Sequence, residues 1–222
     1  MEMLGRGNTA EVIEYGENKV YKLFFEGYPR EYINQEYNNA QELYALGLNV
    51  PKPYAVVEVG KRTGIVYEMI KGKSLYHLIT EDVEIDDKWL EKFVKLQNEL
   101  FEKHTKNVVS YKDFLGEMIK SKPNRDQELL GEIDMLPEGD FLLHGDFHPN
   151  NILVKEDNTF VVIDLMNVCH GPKEYEIART YYLLKDIDDI LAEKYLEKRN
   201  VVKKDIRAYI NVIELCRKFE KC

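Results

Sequence analysis

The sequence predicts an α+β chain in two parts. Residues 1–70 read as a small, mostly antiparallel β lobe with one helix, and residues 71–222 as a larger, mainly α lobe. Three observations lead there. Short β-rich runs separated by turn signals fill the first 70 residues. Helical spacing of apolar residues dominates after residue 74. Three short apolar runs around an Asn- and Asp-rich turn interrupt the helical part at 141–163. A length of 222 residues allows one or two domains at ~100–200 residues each.

The elements follow in order. Ala10–Tyr15 and Val20–Phe25 are predicted strands joined by Gly16-Glu17-Asn18, and Met3-Leu4 belongs to a strand before them, so three strands precede the helix. Residues 30–46 predict a helix, because Ile33, Tyr37, Ala40 and Tyr44 recur at spacings of four and three, with Gly47 as its C-terminal stop. Pro53–Val59 and Gly64–Ile70 are two further strands around Gly60-Lys61-Arg62-Thr63. The boundary falls at Ile70-Lys71-Gly72-Lys73. Asp86 or Asp87 can cap a helix that carries Trp89, Phe93, Leu96 and Leu100 on one face. Residues 111–120 and 125–135 read as helices broken by Pro123. Phe141–Leu143, Ile152–Val154 and Phe160–Ile163 read as strands. Residues 174–222 are helical in period, with Ile206, Tyr209, Ile210 and Ile213 on one face of the last helix.

Composition narrows the function classes. Apolar residues make up 44% and charged residues 32%, which excludes wholesale disorder. No stretch approaches the ~20 apolar residues of a membrane-spanning helix, and no secretory leader is visible, so a cytoplasmic protein without membrane partners is expected. The net charge of −9 repels phosphate backbones and argues against nucleic-acid binding, while it tolerates a cationic small substrate. Three cysteines, Cys169, Cys216 and Cys222, contain no CxxC pair and predict neither a disulfide framework nor a zinc site.

The strongest chemical signal is LHGDFHPNNILV at 142–153, followed by FVVIDLMN at 160–167. His144, Asp146, Asn151 and Asp164 fall at strand ends or in the loop between them, where a scaffold presents functional groups. Asn151 follows Asp146 by five residues, and Asp164 follows Asn151 by thirteen. This order resembles the kinase catalytic loop and its metal-binding aspartate. The His-Gly-Asp form, with Gly145 in place of Arg, resembles the aminoglycoside phosphotransferase and choline-kinase-like family, across nearly the whole chain.

The resemblance implies a two-lobed, protein-kinase-like fold and ATP-dependent phosphorylation of a hydroxyl on a small molecule. It casts Asp146 as the group that accepts or orients the hydroxyl proton, and His144 as a holder of the loop. Asn151 and Asp164 become oxygen ligands of Mg²⁺, a hard cation. Gly5-Arg6-Gly7-Asn8-Thr9-Ala10 resembles a glycine-rich loop, in which Gly5 and Gly7 let backbone N–H groups approach ATP phosphates; Ala10 stands where a third glycine is usual. Lys22 corresponds to the phosphate-binding strand lysine, with Glu36 as its helix partner and Glu31 as the alternative. Glu68 and Ile70 take the hinge positions whose backbone groups pair with adenine. Glu176 stands where the family commonly has Asp bonding back to the catalytic loop. Choline, ethanolamine, amino-sugar, aminoglycoside and sugar-alcohol acceptors all remain open, as does the oligomeric state. Asp186, Asp188, Asp189, Glu193 and Glu197 could meet a cationic amine or simply form a solvated face. A protein kinase is disfavoured, because no APE-like end occurs and residues 165–179 contain no Ser or Thr. A nucleotide-binding adaptor without turnover is disfavoured by the presence of every expected polar residue.

Overall fold

The computed structural model describes residues 2–80, 87–120 and 126–220. In chain order its elements are β1 (Met3–Arg6), β2 (Ala10–Glu14), β3 (Lys19–Phe24), α1 (Arg30–Ala45), β4 (Pro53–Val59), β5 (Arg62–Glu68), β6 (Lys73–Ser74), α2 (Leu75–Thr80) and α3 (Asp87–Phe101). These are followed by α4 (Tyr111–Lys120), α5 (Gln127–Met135), β7 (Phe141–Leu143), β8 (Ile152–Val154), β9 (Phe160–Val162), β10 (Cys169–Gly171), α6 (Lys173–Lys185), α7 (Asp189–Arg199) and α8 (Arg207–Glu220). The chain divides into two compact units: Met1–Leu75 with Asn150–Met166, and Tyr76–Pro149 with Asn167–Cys222.

In the first unit, five antiparallel strands run in the order β1-β2-β3-β5-β4. Lys22 sits mid-strand, opposite Val12 on one side and Ile65 on the other. The turn between β4 and β5 is tighter than the sequence suggests: Arg62 and Thr63 already pair with Val59 and Glu58, leaving Gly60-Lys61 as the reversal. Helix α1 buries Ile33, Glu36, Asn39, Ala40 and Leu43 along one face. Burying Ile33 and Leu43 contributes about 1.5–3 kcal/mol each relative to leaving them exposed. Gly47 ends the helix as predicted, one residue past the cap Leu46. It takes φ 76°, its N–H donates to the Tyr44 carbonyl, and the Leu48 N–H reaches back to Leu43. A left-handed residue at that place satisfies the last carbonyls, and glycine adopts it without a Cβ penalty.

Residues 150–166, assigned by sequence to the second part, group with the first unit. Non-local hydrogen bonds explain the grouping. β8 pairs with β6 through Lys73–Val154 and Ser74–Leu153, β9 pairs with β8, and the Val162 N–H donates to the Asn49 carbonyl. Gly72 is required there, because a Cβ would lie 2.6 Å from the Val154 carbonyl oxygen.

The second unit is helical around a two-stranded β7–β10 ribbon. The helical region expected from 174 onward is divided into three helices, α6, α7 and α8. Asp188 caps α7 by accepting from the Leu191 N–H at 2.7 Å, and Asn200 closes it in the left-handed conformation. Tyr111, Tyr175 and Tyr209 pack as a ring cluster, and Phe93 packs against Phe147 and Tyr195. Asp87 opens α3; the alternative cap Asp86, Pro123 and Cys222 lie outside the described residues. Among the described residues no helix is long and apolar enough to cross a membrane.

Candidate functional site

Each unit carries one group of the residues singled out by sequence. In the first unit, Lys22 Nζ donates to both oxygens of Glu36, at 2.8 and 2.9 Å, and to Asp164 Oδ1 at 2.6 Å. Strand β3 supplies the lysine, α1 the glutamate, and the segment after β9 the aspartate. Glu31 is exposed in the first turn of α1, so Glu36 is the partner. Burial opposes the Lys22 charge, but Glu36 and then Asp164 outweigh it and hold the ammonium above its ordinary pKa. Burial also pushes the Glu36 carboxyl up, against the pull of Lys22. A third contact joins this pair: the buried Tyr67 hydroxyl donates to Glu36 Oε1 at 3.2 Å.

Asp164 takes φ 62°, the left-handed region. That conformation costs an L-residue roughly 1–2 kcal/mol. The backbone on both sides is tied down. The Ile163 N–H donates to the Asn151 carbonyl at 2.9 Å, so Asn151 and Asp164 share one neighbourhood. On the other side, Asn39 Nδ2 donates to the carbonyls of Leu165 at 2.9 Å and Met166 at 3.4 Å.

The glycine-rich turn lies between β1 and β2, with the Gly7 N–H on the Ala10 carbonyl at 2.9 Å. Neither Gly5 nor Gly7 has a positive φ, and a Cβ on Gly5 would meet no protein atom within 4 Å. Intrachain crowding therefore does not account for glycine at position 5. At the strand end, the Glu68 N–H donates to the Lys52 carbonyl, so a bond from this residue to a base falls to its carbonyl. Ile70 follows beyond the end of β5.

In the second unit the loop after β7 is held through its backbone. Glu176, fully buried on α6, accepts from the N–H of His144 at 3.0 Å and from that of Gly145 at 3.0 and 3.3 Å. Arg179 Nε, one helical turn on, donates to the Gly145 carbonyl. Gly145 has φ 73°, and a Cβ there would lie 2.1 Å from the Asn167 carbonyl oxygen, so only glycine fits. His144 accepts the Asp146 N–H on Nδ1 at 3.2 Å, which makes it a loop holder. The extra methylene of Glu over Asp at 176 does not prevent the carboxylate from reaching both amides.

Asp146 lies 3.5 Å from His148 Nε2. Burial works against its charge, but His148, then Arg179 and His144, outweigh burial and hold the carboxyl well below the usual range. Burial raises Glu176 to about 7, with the Gly145 and His144 amides opposing. The acidic residues suggested for a cationic acceptor are mostly committed elsewhere. Asp186 pairs with Arg217, Asp188 caps α7, and Glu193 pairs with Lys203 and accepts from Tyr181; Asp189 and Glu197 are exposed on α7.

The sequence left Asn39 unmarked, and Tyr67 and Arg179 without a side-chain role. Asn39 was detectable in part: it is a polar residue three positions after Glu36, on the face that carries Ile33, Ala40 and Leu43.

The model of the phosphotransferase enzyme family matches residues 4–209, and the chain belongs to that family. It is thus an enzyme of the small-molecule kinase class. No curated protein sequence matches it. Solved structures resemble it in fold. The apo form of a thermostable mutant of aminoglycoside phosphotransferase APH(4)-Ia superposes with TM-score 0.71 at 15% identity, covering 99% of this chain and 87% of that one. The aminoglycoside phosphotransferase APH(3'')-Id from Streptomyces rimosus, in complex with ADP and streptomycin, gives TM-score 0.68 at 13% identity over 93% of this chain and 90% of that one. Choline kinase LicA from Streptococcus pneumoniae gives 0.66 at 16% identity over 99% and 83%. At these identities the likeness establishes the α+β, protein-kinase-like fold.

Proposed function

We propose that this protein transfers the γ-phosphoryl group of ATP, with Mg²⁺, to a hydroxyl of a small molecule, with amine-bearing acceptors of the aminoglycoside, choline or amino-sugar type as the first class to test. The observation that carries the reading is the Lys22–Glu36–Asp164 ion set, which joins three separate elements with a cation between two carboxylates. Such a set suits a lysine that contacts phosphates and an aspartate that carries a metal.

The donor set fits magnesium. Asn151 and Asp164 offer amide and carboxylate oxygens, which a hard cation prefers. Among the described residues no group of three or more His, Cys, Asp or Glu is arranged for a metal. Magnesium takes few protein ligands and completes its shell with water and phosphate oxygens, so two donors suffice. When bound, it would offset charge on the phosphates.

The chain's own residues divide the remaining work. Lys22, anchored by Glu36, would contact the phosphates, and the amides around Gly5 and Gly7 would approach them from the turn. Glu68 and Ile70 would present backbone groups to the base. Asp146 would accept a hydrogen bond from the acceptor hydroxyl and aim its oxygen. A carboxyl held so low is a weak base, so its main contribution is orientation, with proton uptake late in the transfer. Structural relatives bound to ADP and streptomycin, or to AMP-PNP and hygromycin B, support a nucleotide and a polycationic acceptor as the pair to try.

The test is ATP consumption with Mg²⁺ against amines, amino sugars, aminoglycosides, sugar alcohols and one generic protein. Acceptor-dependent consumption with a small molecule is expected. Nucleotide binding without consumption on any acceptor would favour the adaptor reading, and consumption on the protein alone would favour a protein kinase.

A further inference from the structure

We propose that Asn39 is a positioning residue for Asp164, holding the aspartate where it meets the divalent cation of a bound nucleotide; this rests on the metal-holding role proposed above. A non-glycine residue in the left-handed region persists only where its surroundings over-determine it. Three contacts do so here. The Asn151 carbonyl takes the Ile163 N–H before Asp164. Lys22 takes its carboxylate. Asn39 takes the two carbonyls that follow, Leu165 at 2.9 Å and Met166 at 3.4 Å.

Asn39 is only 3% exposed, on a face otherwise suited to apolar packing. A buried amide there is unfavourable unless it is hydrogen-bonded. Its partners are not α1's own backbone but carbonyls 126 and 127 residues away, immediately after Asp164. Glu36, three positions earlier on the same face, grips Lys22. One face of α1 therefore holds both the lysine and the backbone that aims the aspartate. Removing the Asn39 donor should change where the Asp164 carboxylate points, while Lys22, Glu36 and the β-sheet stay in place.

The experiment is nucleotide binding, not turnover. Affinity for ADP is measured by calorimetry with and without Mg²⁺ in the wild type, Asn39→Leu, Asn39→Ala and Leu43→Ala. Leu43 is buried on the same helix, and its truncation reports a purely structural cost. Expected is a Mg²⁺-dependent gain in wild-type affinity that falls about tenfold or more in both Asn39 variants, while Mg²⁺-free affinity stays within about threefold. Leu43→Ala should lower Tm and keep the gain. In the wild type, the Asn39 side-chain amide should be protected from hydrogen exchange, and its NMR signal should move with ADP plus Mg²⁺ more than with ADP alone. The inference is overturned if folded Asn39 variants keep the gain, if they behave like Leu43→Ala, or if the wild-type amide signal does not respond to Mg²⁺. A wild type whose ADP affinity is blind to Mg²⁺ overturns the metal role of Asp164 itself, and the inference with it.

Discussion

The two groups of residues, one in each unit, are held by different means. The group in the first unit depends on side-chain charges: one ammonium between two carboxylates, with a tyrosine hydroxyl on one of them. The loop in the second unit depends on its backbone: Glu176 accepts from two successive amides, those of His144 and Gly145, and Arg179 donates to the Gly145 carbonyl that follows them. Charges can change partner when a ligand arrives, and they act in common. A backbone locked to a buried carboxylate cannot rearrange cheaply, because each abandoned amide is left without an acceptor. The first group is thus suited to exchanging contacts with a nucleotide, and the second to keeping Asp146 in one orientation.

The largest effect is expected from Asp146→Asn. It should leave the fold and nucleotide affinity largely intact and reduce turnover ~10²–10⁴-fold. Turnover within about threefold of the parent would remove Asp146 from the chemistry.

Gly145→Ala comes next. Its Cβ would sit 2.1 Å from the Asn167 carbonyl oxygen at φ 73°, so the loop must shift. We expect a loss of a few kcal/mol by chemical denaturation, on the scale of a large single-site effect, with turnover lost alongside it. Unchanged stability would mean that the loop is not rigid.

A double-mutant cycle on kcat/KM for ATP probes the charge-held group of the first unit. Lys22→Ala should impair ATP use directly, Glu36→Ala similarly but less, and the double variant should be little worse than Lys22→Ala, because coupled residues are not additive. Simple addition of the two effects would make them independent.

The smallest effect expected is a pH slope from Glu176. Its folded pKa of about 7 lies above the ordinary 4.5, so the neutral form is favoured in the fold. That contribution is fully present below pH 4.5 and is lost as pH rises through 7. Glu176→Gln, which cannot ionise, should be less stable overall but should show a shallower fall in stability between those pH values. Parallel pH curves for the two proteins would exclude Glu176 as the titrating group.

Much of this was legible in the sequence where the signal is local. The α1 face, the Gly47 stop and the 142–153 loop announce themselves by spacing, and Lys22 and Glu36 by order along the chain. What remained hidden is non-local. The strands Lys73–Ser74 and Cys169–Gly171 are too short to show a period and exist through their partners. Residues 150–166 join the first unit through pairing with β6 and a bond to Asn49, which no local pattern encodes. The Asn39 contact spans 126 residues, and its only sequence trace is a polar side chain on an apolar face. The division of 174–222 into three helices turns on Asp188 and Asn200, which cap as readily as they solvate.

The most direct test of the central claim is phosphorus NMR of the wild-type protein with ATP, Mg²⁺ and each small acceptor in turn. Expected are loss of the γ-phosphate signal, growth of ADP, and a new phosphate monoester on the acceptor hydroxyl, all slowed ~10²–10⁴-fold with Asp146→Asn. ATP that stays intact with every acceptor, or a phosphate released only to water, would contradict it.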